Sequence, residues 1–307
     1  MLNYEKYMAH CTICPRACGV NRLEGQLGFC KAPTLPKIAL VSSHAWEEPP
    51  ISGTNGSGTV FFSHCNLQCK FCQNHAISEE GYGKEVSIHR LAEIFMEQQK
   101  RGCHNINLVS PTQYIPQICD ALHLAKQQGL TIPVVYNTNG YESVSSLRLL
   151  EGYVDIYLPD VKYYDNALAE SFSHAPNYFV IAQNALQEMF RQVGRNRFSP
   201  NGIMEKGIII RHLVLPNCYK DSMRILDYIS GTFGENTILS LLNQYTPMHK
   251  AKDIPALSRR LTTLEYQKVV NHFFSLGLKN GYTQKRSSST SAYTPLFDGR
   301  GVEKSSP

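Results

Sequence analysis

Cys65, Cys69 and Cys72 follow the pattern C-x3-C-x2-C directly after an apolar run, Thr59-Val60-Phe61-Phe62. Thiolates this close in sequence can converge on one metal centre. An iron–sulfur cluster usually takes four cysteine ligands, so three leave a coordination position open. Open positions are where something else binds, as at catalytic metal sites. A second group, Cys11, Cys14, Cys18 and Cys30, reads C-x2-C-x3-C-x11-C, with Pro15, Gly19, Gly25 and Gly28 among them. Turn-rich sequence between thiols lets a short loop wrap a tetrahedral centre without a core of its own, and four protein ligands close it. The expected occupant is a structural zinc or an auxiliary iron–sulfur cluster, because thiolates suit both. Unligated thiols or disulfides are the plainer alternative. Seven of the ten cysteines fall in these two clusters of a large chain, which fits metal ligation in a reducing compartment better.

Such residues need elements to hold them, and a strand–helix beat runs from Thr59 onward. Strands are expected over Thr59–Ser63, Asn105–Val109, Pro133–Tyr136, Val154–Leu158, Ile208–Leu215 and Thr237–Leu242. Between them, helical spacing marks Ser87 to Arg101, the stretch through Ile115, Ile118, Leu122 and Ala125, Ser143 to Leu150, most of Asn166 to Val193, and Ser222–Phe233. Thr263 to Leu278 is the last helix. Alternation of this kind makes parallel βα units, and short, nearly continuous apolar strands suit a sheet buried on both faces. The expected fold is therefore α/β, an incomplete (βα)6 parallel barrel with a small cysteine-rich N-terminal extension; a doubly wound open sheet is the alternative. Residues 1–50 read as metal-binding extension and linker, 51–281 as the partial barrel and 282–307 as a tail. The Gly/Ser/Pro-rich run from His44 to Gly58 reads as loop. In the tail, Tyr293, Leu296 and Phe297 offer enough apolar surface to dock before a polar end frays.

In parallel α/β folds chemistry gathers at the C-terminal strand ends. There the sequence places the three cysteines, Ser110-Pro111-Thr112-Gln113, Asn137-Thr138-Asn139-Gly140, the pair Asp160 and Lys162, which strand parity points to one face, and Asn243-Gln244-Tyr245, with Arg211 and His212 inside the fifth strand. Asn-Gly and Ser-Pro also make ordinary turns, Asp160 could simply cap a segment, and a lone histidine such as His212 is more often buried and satisfied than catalytic. Their shared placement beside the cysteines is what argues for a ring around a small polar ligand.

The 307 residues, 42% hydrophobic and 18% charged, can bury a sizeable core. A net charge of +5 without a basic block gives no reason to expect nucleic acid as a partner. No window approaches eighteen consecutive apolar residues and Met1 to His10 is polar and aromatic, so neither a membrane span nor a signal segment is expected. A cytoplasmic location follows.

Cys65-Asn66-Leu67-Gln68-Cys69-Lys70-Phe71-Cys72 resembles the cluster motif of radical S-adenosylmethionine enzymes, including the aromatic residue before the last cysteine. The wider chain resembles a branch related to pyruvate formate-lyase activating enzyme. Cys14 to Arg22, Ser52 to Thr59, Gly207 to Pro216 and Gln244-Tyr245 carry that likeness. The resemblance implies that Cys65, Cys69 and Cys72 hold three irons of a [4Fe-4S] cluster, with S-adenosylmethionine on the fourth. It implies a 5′-deoxyadenosyl radical that abstracts hydrogen, an electron donor such as flavodoxin or ferredoxin, and a glycyl-radical enzyme as substrate. It also implies that Phe71 lies near the adenine and that Thr138, Asp160, Lys162 and Arg211 line the cofactor pocket.

Against that pattern, Ser110-Pro111-Thr112 replaces Gly-Gly-Glu, Asn137 replaces an aspartate of a cation site, and no histidine stands on the sixth strand. RNA or small-molecule modification is the alternative within enzymes. A non-catalytic iron–sulfur or zinc protein is the rival outside them. It needs a fourth ligand, for which Cys218 is better placed than Cys103 or Cys119.

Overall fold

The computed structural model describes residues 2–234, 237–284 and 295–304, and among these ten strands form one sheet. They are β1 (Lys37–His44), β2 (Ser57–Phe62), β3 (Lys84–Glu85), β4 (Ile106–Val109), β5 (Val134–Thr138), β6 (Ile156–Pro159), β7 (Arg197–Phe198), β8 (Met204–Leu213), β9 (Ile238–Leu242) and β10 (Gly281–Thr283). The order is β10-β9-β8-β6-β5-β4-β2-β1-β3, with β7 on β8. From β2 to β10 every neighbour along this path is parallel, whereas β1, β3 and β7 pair antiparallel. The path ends at β3 and β10, which do not pair, so the barrel is open.

Strands β2, β4, β5, β6 and β9 are buried along their whole length. That is what helices packed outside a parallel sheet require, and it explains the continuous apolar runs. The helix Ile88–Lys100 buries Leu91, Ile94 and Phe95 and is capped by the Ser87 side chain, which accepts from the Arg90 N–H. Ile115–Gln127 follows β4, Val144–Leu149 follows β5, and Tyr219–Phe233 follows β8.

All six expected strands are present. Four features differ from the sequence reading. The stretch read as extension and linker contains β1, whose apolar run Ile38 to Val41 is buried but pairs with a partner no local pattern names. The His44–Gly58 loop includes a one-turn helix, Pro49–Ser52, and the first residues of β2. The region 166–193 splits into Asn166–Ser173 and Tyr178–Val193, because His174 and Asn177 take left-handed conformations at φ 50° and 54°. A seventh parallel strand, β10, follows the last helix.

Of the tail, Phe297 packs edge-on against Phe61 with ring centroids 5.5 Å apart, while Leu296 stays exposed. Tyr293 and the end expected to fray lie outside the described residues. Among the described residues no helix is long and apolar enough to cross a membrane.

Candidate active site

The loop leaving β2 turns sharply at His64, which adopts a positive φ of 71°, and carries Cys65, Cys69 and Cys72 into the wall of a cavity of about 370 Å³. Each thiol sulfur meets a polar group. Asn139 Nδ2 donates to Cys65 Sγ at 3.3 Å, as does the Leu67 N–H at 3.4 Å. Ser173 Oγ donates to Cys69 Sγ at 3.0 Å, and Ser78 Oγ lies 3.3 Å from Cys72 Sγ. Burial, followed by the neighbouring cysteine, pushes the Cys65 thiol up to about 12; burial pushes Cys69 up to about 11. Thiols this costly to ionise become thiolates when a metal compensates the charge.

The loop is braced from β5 and from the N-terminus. Asn139 Nδ2 also donates to Asn66 Oδ1 at 2.7 Å, and Asn66 Nδ2 donates to the Tyr141 carbonyl at 2.6 Å. Arg16 Nε donates to the Asn66 carbonyl at 3.0 Å, Arg16 also bonds the His174 carbonyl, and its guanidinium lies 3.6 Å from the Phe29 ring centroid. The four-cysteine loop thus sits on the back of the central cysteine loop.

A row of charges lines the same cavity, with Lys162 and Asp160 close enough to act on Cys69. Lys162 Nζ donates to Asp160 Oδ2 at 2.8 Å and Arg211 Nε to Asp160 Oδ1 at 2.8 Å. Arg211 Nη1 reaches Glu47 Oε2 at 3.2 Å and Nη2 donates to Asn137 Oδ1 at 2.6 Å. Burial opposes the charge on Asp160, but Arg211 and Lys162 outweigh it and hold the carboxyl below its ordinary value. The parity that puts Asp160 and Lys162 on one face is therefore real.

All five residues expected around the cofactor line the cavity: Phe71, Thr138, Asp160, Lys162 and Arg211. Phe71 meets Tyr245 edge-on at 6.0 Å between ring centroids. The Thr138 hydroxyl donates to Glu142, which also accepts from Thr112 Oγ1 at 2.6 Å and Tyr136 OH at 3.2 Å. Ser110, Asn137, Asn139 and Gln244 join the wall. His212 does not. Its Nδ1 lies 2.6 Å from the Val161 carbonyl and its Nε2 2.8 Å from Ser222 Oγ, and burial lowers it to about 4, the satisfied histidine of the plainer reading. Cys103 and Cys119 are buried elsewhere, and Cys218 is not in the cavity wall; burial, then Asp221, Glu265 and Asp165, raises its thiol. Sequence reasoning passed over Glu47, Glu48 and Ser173. Adjacent acids before Pro49-Pro50 were the only signal for the first two, and nothing local marked the third.

In the N-terminal loop the Cys11 N–H donates to the Val20 carbonyl at 3.0 Å and the Phe29 N–H to Cys18 Sγ at 3.4 Å. Burial, then a neighbouring N–H and other cysteines, act on Cys14 and Cys30, and both are raised. Among the described residues, no group of three or more His, Cys, Asp or Glu side chains is arranged to share a single metal ion. A cluster distributes its cysteines over separate irons, so its ligands stand farther apart than those of one ion. The donors aimed at Cys65, Cys69 and Cys72 fit such a group.

The model of the Radical SAM superfamily matches residues 59–194. An uncharacterized protein of Methanocaldococcus jannaschii, MJ0674, is 33% identical over 276 residues, covering 85% of this chain and 73% of that protein. A second uncharacterized protein of the same organism, MJ0808, is 24% identical over 276 residues, covering 82% and 76%. Among solved structures, Streptococcus suis SuiB bound to S-adenosylmethionine superposes with a TM-score of 0.49 at 14% identity over 72% of this chain. The chain spans about half of that protein's length, 48%.

Proposed function

The chain belongs to the radical SAM superfamily, and on that premise we propose that Cys65, Cys69 and Cys72 hold three irons of a [4Fe-4S] cluster whose fourth iron takes S-adenosylmethionine. When bound and reduced by one electron, this pair supplies a 5′-deoxyadenosyl radical able to abstract hydrogen from a substrate. The observation that carries the reading is the shared cavity: three thiols met by polar groups, with the Lys162–Asp160–Arg211 row in the same wall.

In this reading Phe71 and Tyr245 form an aromatic wall for the adenine. Lys162 uses one of its three donors on Asp160 and keeps two for the ligand. Thr138 is held by Glu142, so it shapes the pocket wall through Glu142 as much as by direct contact. The electron donor is a flavodoxin- or ferredoxin-type protein. The N-terminal cysteines hold a second metal centre, a structural zinc or an auxiliary iron–sulfur cluster, since thiolates suit both.

For the substrate, the sequence resemblance favours a glycine of a glycyl-radical enzyme. The buried charged floor of the cavity, with Glu47 and Glu48 in its wall, favours instead a small polar molecule.

Anaerobic reconstitution with iron and sulfide, then dithionite and S-adenosylmethionine, should yield 5′-deoxyadenosine, and Cys69→Ala should yield none. Equal product from both proteins would refute the proposal. Incubation with a glycyl-radical enzyme partner should give a protein glycyl signal by electron paramagnetic resonance if the resemblance names the substrate. Its absence with intact 5′-deoxyadenosine formation leaves the small-molecule reading.

A further inference from the structure

Glu47 and Glu48 enter the cavity from the segment between β1 and β2. Their backbone is fixed. Pro49 and Pro50 follow, and Glu48 takes the extended conformation that a residue before proline favours, at φ −52° and ψ 142°. The N–H groups of Ile51 and Ser52 donate to the Glu48 carbonyl at 2.8 and 3.1 Å, and the Glu47 N–H donates to Ser52 Oγ at 2.9 Å. The two side chains therefore project from a rigid corner.

Their partners differ. Glu47 accepts from Arg211 Nη1 at 3.2 Å and Asn137 Nδ2 at 3.5 Å. Glu48 is 7% exposed and its Oε2 is buried with no hydrogen-bond partner. The Arg211 charge acts on the Glu48 carboxyl, Ser240 on β9 is a hydrogen-bond neighbour of it, and Tyr282 on β10 feels its charge. The row of Lys162, Asp160, Arg211, Glu47 and Glu48 holds three carboxyls against two cations. A buried acceptor with no donor is costly unless a ligand supplies one.

We propose that Glu48 is the substrate-docking residue of this cavity and receives a primary ammonium group of a small-molecule substrate on Oε2. The inference rests on the reading of the cavity as the catalytic one. The row runs from the cysteines to Glu48: Lys162 and Asp160 act on Cys69, Arg211 pairs with Asp160, and Glu48 acts on Arg211 in turn. Glu48 thus lies on the side away from the thiols, where a substrate rather than the cofactor's own amino group would rest. A hard metal cation fits poorly. It takes six or more oxygen ligands, whereas Glu47 is already engaged by Arg211 and Asn137. An ammonium needs only a few acceptors and gains a charge-assisted bond.

The test is calorimetric binding to the reconstituted, S-adenosylmethionine-loaded protein. The probes are 1,5-diaminopentane, n-butylamine and L-lysine, each paired with the analogue in which hydroxyl replaces the side-chain or terminal amine. At least one amine should bind tenfold or more tightly than its hydroxyl analogue. Glu48→Gln should remove that preference, and Glu48→Asp should keep part of it, with both variants checked for an unchanged fold by circular dichroism. No amine preference in the wild type, or an undiminished one in Glu48→Gln, overturns the proposal. So does displacement of the amines by millimolar magnesium or potassium that itself depends on Glu48. The same wild-type sample is assayed for 5′-deoxyadenosine, so loss of the radical reading is seen separately from loss of the ammonium site.

Discussion

Arg211 joins three segments through one guanidinium: Asp160 beyond β6, Asn137 at the end of β5 and Glu47 between β1 and β2. Only a planar fork with several donors can do this, so lysine is no substitute. Removing it leaves Asp160 paired with Lys162 alone and takes from Glu47 its cationic partner. Breaking a buried pair costs about 3–5 kcal/mol. Arg211→Ala should therefore lower the unfolding free energy read from urea titration by an amount of that order, and Arg211→Lys should weaken S-adenosylmethionine binding about tenfold while restoring only part of the stability. Calorimetry and urea titration check both. At this scale much was legible, because Cys65, Cys69 and Cys72 announce themselves by spacing and Asp160 and Lys162 by strand parity. Glu47 and Glu48 were not, since two acids before two prolines look like any solvated turn until the fold turns them inward.

The loop after β5 shows how an element serves the cavity from behind. Glu142 is buried and gathers the hydroxyls of Thr112, Tyr136 and Thr138, so one carboxyl ties the ends of β4 and β5 together. Burial raises its carboxyl to about 7 from an ordinary 4.5. A raised folded value stabilises the protein fully below the unfolded value, and that contribution is lost as pH climbs from about 4.5 through about 7. Glu142→Gln keeps an acceptor but cannot ionise, so its urea midpoint should stay flat across this window where the wild type declines. The helix Thr263–Ser275 carries a full capping box, in which Thr262 Oγ1 accepts from the Glu265 N–H and Glu265 from the Thr262 N–H. Thr262→Ala should cost about 1 kcal/mol in stability without changing 5′-deoxyadenosine yield. Elements with helical or continuous apolar patterns were readable. The two-residue strands β3 and β7 and the three-residue β10 were not, because short runs carry no period and the partners of β3 and β10 lie far away in sequence.

At the scale of the molecule, the four-cysteine loop is part of the site's support. Arg16 couples it to Asn66, and Arg22, itself buried, donates from Nη1 to the Gln113 carbonyl at 2.7 Å, tying the loop to the end of β4. Metal analysis of the Cys65/Cys69/Cys72 triple alanine variant should still find iron bound if this loop ligates a cluster; iron-free protein removes that assignment. The open barrel itself was foreseeable from the strand–helix beat and the docking of Phe297 from its apolar tail, but the strand edge that the tail covers was not. Beyond the short β3, the Gly299 N–H donates to the Ala39 carbonyl at 3.0 Å and the Val41 N–H to the Arg300 carbonyl at 2.9 Å. Phe297 meanwhile rests on Phe61 of the strand that leads into the cysteines. During synthesis this cover comes from residues made long after β1 and β2, so a ribosome-bound chain carries the cysteine-bearing strand next to a bare edge. An exposed edge invites pairing with other chains. The edge of β1 is thus covered only once the segment carrying Phe297 to Arg300 has been made.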